Sequence, residues 1–120
     1  MSVPLIKELF ELRKKFETNY LGFPDLSCIA VSSAVKYNLG YGVVGDAFVL
    51  VPNKEARQHF WNVTPDEVWY VDLSGDQFND RLNGLVIPRV HVVRVGSDRA
   101  KRFYCLRKDA DIYVKRPWLD

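Results

Sequence analysis

The chain has 120 residues, 48% apolar and 27% charged, and its 17 basic and 15 acidic side chains leave a net charge of +2. That length suits one domain over residues 1–120 with roughly 65% of the unfolded surface buried, and the composition excludes a disordered or low-complexity protein. The charge is too small to signal a nucleic-acid partner, no apolar run approaches membrane-spanning length, and residues 1–18 lack the apolar centre of a signal peptide, so a cytoplasmic protein with reduced thiols is expected.

Ser2-Val3-Pro4 opens a helix, with Pro4 in the first turn. Leu5, Ile6, Leu9, Phe10, Leu12 and Phe16 form its apolar stripe, and Lys7, Glu8, Glu11, Lys14 and Lys15 face water. Asn19 to Leu26 is a loop. Ser27 to Gly40 reads as a second helix of about three turns, capped by Asp25 or Ser27 and stopped near Asn38 to Gly40. Cys28 falls in its first turn, where backbone N–H groups carry partial positive charge and favour a thiolate. The same position also suits a small buried thiol.

Tyr41 to Val51 is a strand ended by Pro52-Asn53. Gln58 to Asp72 then reads as a β-hairpin about Thr64-Pro65-Asp66-Glu67. With Pro65 and Asp66 at the centre of a two-residue turn, Val63 faces Val68, Trp61 faces Tyr70, and His59 faces Asp72. Directly opposed residues bring their Cβ atoms to about 5 Å. A carboxylate so placed orients the imidazole and raises the basicity of its other nitrogen. A turn longer by one residue would separate the pair. Asn62-Val63-Thr64 matches a glycosylation acceptor, without meaning where no export signal is expected.

Leu73 to Asp80 is a turn or short helix anchored by Phe78, and Arg81 to Pro88 a loop. Arg89 to Val95 is a strand, Gly96-Ser97-Asp98 a turn, and Phe103 to Arg107 and Asp111 to Lys115 further short strands. Helices followed by antiparallel strands make an α+β layout. Arg99-Ala100-Lys101-Arg102 and Arg107-Lys108 fit solvated turns and strand edges.

Cys on a helix, His on one strand and Asp on the next is also the order of the papain-like cysteine peptidases and transglutaminases, here Cys28, His59, Asp72. Ser27-Cys28-Ile29-Ala30-Val31-Ser32-Ser33-Ala34-Val35 resembles their C-x-x-x-S-x-x-L helix, with Val35 for Leu. His59-Phe60-Trp61-Asn62 and Val71-Asp72-Leu73-Ser74 resemble the H-x-W-N … D-L-T pattern of small bacterial and phage proteins of the transglutaminase-like group, in which a Gln-Phe pair, here Gln77-Phe78, follows the Asp. The resemblance covers Ser27 to Phe78. It implies N-terminal helices packed on an antiparallel sheet, and a thiol-dependent amide hydrolase or acyl transferase of cysteine peptidase, deamidase or transglutaminase type. Cys28 would be the nucleophile, His59 the general base and acid, and Asp72 its orienter. The candidate oxyanion donors are the Cys28 N–H, Asn19 and Tyr20, since the Gln that papain-like enzymes carry before the Cys has no counterpart here.

Trp61 and Gln77 are the candidate substrate contacts, although tryptophans placed like Trp61 and Trp69 are more often core packing than a substrate platform. The expected partner is a peptide or protein substrate, with no membrane and no nucleic acid. His91 finds no partner in the strand pattern, and Cys105 reads as a buried or edge thiol. Cys28, His59, Asp72 and His91 are metal-ligand types but lack metal-ligand spacing, so neither metal nor cofactor is expected. The alternative function is a non-catalytic peptide- or protein-binding module on the same fold, because the chain is short for a two-lobed peptidase.

Overall fold

The computed structural model describes residues 4–25, 27–50, 55–82 and 86–105. Two helices come first, α1 (Ile6–Asn19) and α2 (Cys28–Leu39). Strands β1 (Gly42–Leu50), β2 (Glu55–Val63) and β3 (Trp69–Asp72) follow. A 3-10 helix (Gly75–Arg81), β4 (His91–Arg94), α3 (Asp98–Phe103) and β5 (Tyr104–Cys105) complete the order. The architecture is α+β, and among the described residues the sheet has five strands in the order β4-β3-β2-β1-β5, every pair antiparallel.

In α1, Leu9, Leu12, Arg13 and Phe16 are buried, the spacing of one helical face. Leu5, Ile6 and Phe10 are more than two-fifths exposed, so the apolar stripe reaches the core only through its lower half. Ser2 and Val3, the expected cap, lie outside the described residues. Helix α2 begins at Cys28 and ends at Gly40, which has the left-handed φ of 75° that a glycine adopts without strain.

The hairpin differs from the expected one. Asn62 pairs with Val71 and Val63 with Tyr70, so the turn spans Pro65 to Val68, two residues more than expected. Its side chains explain the longer turn. Asp66 Oδ1 accepts from Thr64 Oγ1 at 2.7 Å and from the Val68 N–H at 3.2 Å. Thr64 Oγ1 in turn accepts the Trp69 N–H at 3.1 Å, and Glu67 takes a φ of 60°. Counted outward, Asp72 lies opposite Trp61 and is the diagonal neighbour of His59. Because side chains alternate, a shift of two keeps His59 and Asp72 on one face, whereas a shift of one would not.

The sheet is strongly curled. In a flat sheet β4 and β5, at opposite edges, would stand about 19 Å apart. Yet Tyr104 of β5 hydrogen-bonds His91 of β4 at 2.7 Å. Helix α3 bridges the two edges. It occupies part of what the sequence reads as a turn and a basic surface run, and Ser97 caps it by accepting the Ala100 N–H at 3.2 Å. The expected strand from Phe103 survives as Tyr104-Cys105, paired with Phe48 and Ala47. The expected strand at Asp111 to Lys115 and the side chain of Cys105 lie outside the described residues.

Curling creates two cores. Trp61, Phe78, Leu82, Ile87, Val93, Phe103 and Tyr104 fill the concave face. Leu9, Leu12, Phe16, Val31, Val35, Val71 and Leu73 join α1 and α2 to the convex face. Among the described residues no helix is long and apolar enough to cross a membrane.

Candidate active site

Three elements bring the site together. His59 lies on β2, beyond the two pairs that join β2 to β3, and the N-terminus of α2 enters there. Asn62 locks that approach: its Nδ2 donates to the carbonyls of Ser32 at 2.9 Å and Gly42 at 3.3 Å. One side chain thus ties α2 to the start of β1.

His59 Nε2 lies 2.8 Å from Asp72 Oδ2, and both side chains are essentially excluded from water. The Cys28 sulfur lies close enough to His59 and to the backbone N–H of Phe60 to be stabilised by both. With Nε2 engaged by Asp72, the ring nitrogen left for sulfur is Nδ1. The imidazole plane is fixed by Trp61, stacked at 5.8 Å, and by the Phe78 ring edge-on at 5.2 Å.

Asp72 is held on all sides. Its Oδ1 accepts the Ser74 N–H at 3.0 Å, and its Oδ2 accepts the Tyr104 hydroxyl at 2.8 Å. Gly75 packs against it so closely that a Cβ there would fall 2.5 Å from Oδ2, which explains the glycine. Behind this turn Arg13, 4% exposed, donates to Asp76 through two nitrogens at 2.7 and 2.8 Å and to the Leu73 carbonyl at 2.9 Å. An α1 side chain therefore holds the loop that shapes the Asp72 environment.

The electrostatics follow from these contacts. Burial alone would push His59 down, but the Asp72 charge and hydrogen bond, helped by the Cys28 sulfur, raise it from 6.5 to about 9. Burial would raise the Cys28 thiol, and the His59 hydrogen bond and charge more than offset it, so the thiol is more acidic than usual. Burial would raise Asp72, yet the His59 charge and hydrogen bond, the Ser74 N–H and the Tyr104 hydroxyl hold it below the ordinary carboxylate value.

Cys28 opens onto a cleft of about 510 Å³ lined also by Asp25, Arg57, Gln58, Gln77, Asp80 and Arg81. Gln77 is thus in position to meet a molecule at the thiol, its Nε2 steadied by the Ser74 carbonyl at 3.0 Å. The Cys28 N–H belongs to the first turn of α2, where no intrahelical carbonyl precedes it.

Three other candidates are displaced. Trp61 is 1% exposed, inside the concave core, because the curl turns its face inward; it supports the His59 ring and does not meet substrate. Asn19 closes α1 beside Glu11, Lys14, Lys15 and Thr18, in a separate groove. Tyr20 is stacked on Phe16 at 4.8 Å. Neither lines the Cys28 cleft, so α1 supplies no oxyanion donor from these positions.

Ser74, Tyr104, His91 and Arg13 are site-supporting residues that sequence reasoning missed. Arg13 left a signal, since it sits between Leu9 and Phe16 on the buried face of α1; Tyr104 left none, because only the curl brings it near. Among the described residues no cluster of three or more His, Cys, Asp or Glu side chains could hold a metal ion. No family model, curated protein or solved structure matches this chain.

Proposed function

We propose that the chain is a thiol-dependent amide hydrolase or acyl transferase, of cysteine peptidase, deamidase or transglutaminase type, on a transglutaminase-like core. The observation that carries this reading is the buried His59–Asp72 pair beside the Cys28 thiol, at a helix N-terminus that opens on a cleft. Cys28 transfers its proton to His59 and attacks an amide or ester carbonyl as thiolate. The oxyanion forms beside the Cys28 N–H, and Gln77, which lines the same cleft, would supply a further donor through its carboxamide. The imidazolium then protonates the leaving amine. The thioester passes to water or to an amine, which separates hydrolysis from acyl transfer. Asp72 stays ionised and holds His59 with the proton on Nε2.

The test is iodoacetamide alkylation of Cys28 from pH 4 to 9, read by peptide mass spectrometry beside Cys105. The expected result is reaction well below pH 7 that disappears in His59→Ala. A Cys28 that titrates like an ordinary thiol near pH ~8.5 would refute the nucleophile assignment and leave a binding module on the same fold.

A further inference from the structure

His91 has no part in the reaction proposed above, yet it is 2% exposed and both ring nitrogens are engaged. The β3–β4 register places it directly opposite Asp72. Its Nδ1 lies 2.7 Å from the Tyr104 hydroxyl, and Arg99 Nε donates to its Nε2 at 3.1 Å. The Tyr104 hydroxyl is 2.8 Å from Asp72 Oδ2.

The direction of every hydrogen bond in this series is determined. A guanidinium donates and cannot accept, so His91 Nε2 presents a lone pair to Arg99. A neutral imidazole retains one proton, which is then on Nδ1 and is donated to the Tyr104 oxygen. Tyr104 has one proton, and it goes to Asp72 Oδ2. Asp72 already accepts the Ser74 N–H and faces His59 Nε2, so it holds no proton of its own. His59 must therefore carry its proton on Nε2, which leaves Nδ1 as the acceptor for the thiol.

We infer that Arg99, His91 and Tyr104 are positioning residues, a one-way chain of donors that fixes Asp72 as an acceptor and moderates how tightly it grips the His59 proton. The consequence for catalysis rests on the proposed Cys28–His59–Asp72 chemistry; the chain itself does not. A carboxylate relieved of one donor concentrates its charge on those that remain. The imidazole beside it then becomes more basic, and a base that is too strong returns its proton poorly to a leaving group. Among the described residues, the charged and titratable groups around Asp72 are His59 from β2, His91 from β4, Tyr104 from β5, Cys28 from α2 and, one contact further out, Tyr70 from β3 and Arg99 from α3. His91, lowered by burial and by Arg99 to about 4, stays neutral through the working range, as the chain requires.

The chain has two histidines, so long-range nitrogen–proton NMR of 15N-labelled protein reads both rings without ambiguity. The expected spectrum has His91 neutral with the proton on Nδ1 from pH 5.5 to 9. In Tyr104→Phe the His59 midpoint rises, by up to about tenfold in proton affinity, the worth of a hydrogen bond to a charged group. Arg99→Met, a change at an exposed position, releases His91 from its one tautomer, and keeps the test decisive if Tyr104→Phe does not fold. His91 protonated on Nε2 in the native chain, a His59 midpoint that stays or falls in Tyr104→Phe, or an unchanged His91 in Arg99→Met would overturn the inference. Repeating the titration in Cys28→Ala separates the two claims: the donor chain must persist there, whereas failure of the reaction reading shows only in Cys28 alkylation.

Discussion

Replacing Asp72 by Asn tests what keeps a proton on His59. The carboxylate is the main influence raising His59 to about 9 from 6.5, a difference worth about 3 kcal/mol. Without the charge, burial is opposed only by the smaller influence of the Cys28 sulfur, and the imidazole becomes neutral at physiological pH. Two effects on Cys28 then compete. The Asp72 charge itself disfavours a thiolate, but the His59 hydrogen bond and charge favour it more strongly, so losing the imidazolium dominates. Asparagine also presents an N–H where Asp72 accepts. It pushes the His59 proton to Nδ1, the nitrogen that must receive the thiol proton. Cys28 alkylation at pH 6 is expected to fall about 100-fold, the equivalent of that 3 kcal/mol, while circular dichroism stays unchanged. If Asp72→Asn alkylates like the native protein at pH 6, Asp72 does not hold the proton on His59, and the electrostatic account of the site fails.

Three further outcomes follow from the geometry. Arg13→Met removes one partner of a buried, bidentate pair whose other member is 14% exposed; urea unfolding should show a loss of about 3 kcal/mol, and a loss under about 1 kcal/mol would mean water replaces the guanidinium. Gly75→Ala sets a methyl group 2.5 Å from Asp72 Oδ2 and 3.2 Å from Ile87 Cγ2, so it should cost about 1–3 kcal/mol and erase the low-pH reactivity of Cys28; a native pH profile would show that Asp72 tolerates displacement. His91 is lowered to about 4 in the folded chain against 6.5 when unfolded, so its contribution is complete above pH ~6.5 and is lost as pH falls toward 4. Between pH 6.5 and 5 this amounts to about 2 kcal/mol of unfolding free energy, which His91→Asn should remove; parallel pH dependences for the two proteins would rule it out.

Much of the site was legible because it depends on local rules. Ser27, at the cap position though without a side-chain capping bond, and a glycine after Leu39 bound α2, and strand alternation placed His59 and Asp72 on one face whichever even register the hairpin took. The turn length was not legible, because it rests on three polar contacts among Thr64, Asp66, Val68 and Trp69 and on a glutamate in the left-handed region. Trp61 was misplaced for another reason: alternation gives a face, and only the curl decides that this face is interior. The partners of His91 come from β5 and α3, elements distant in the strand pattern, where periodicity carries no information. Helix α3 did leave a signal in Ser97, outweighed by the basic run that follows.

The closure of the sheet has a consequence for how the protein acquires its reactivity. Cys28 meets His59 across about 30 residues of chain, and Asp72 receives its hydroxyl donor from Tyr104, separated from it by 32. Such distant contacts form late, after the loop entropy of bringing them together has been overcome. While the chain is emerging or partly open, Cys28 is an ordinary thiol, mostly protonated and a poor nucleophile. The acidity of the Cys28 thiol therefore arises with the finished fold, and fraying of the short β5 edge would loosen the hold on Asp72 before the helices are disturbed.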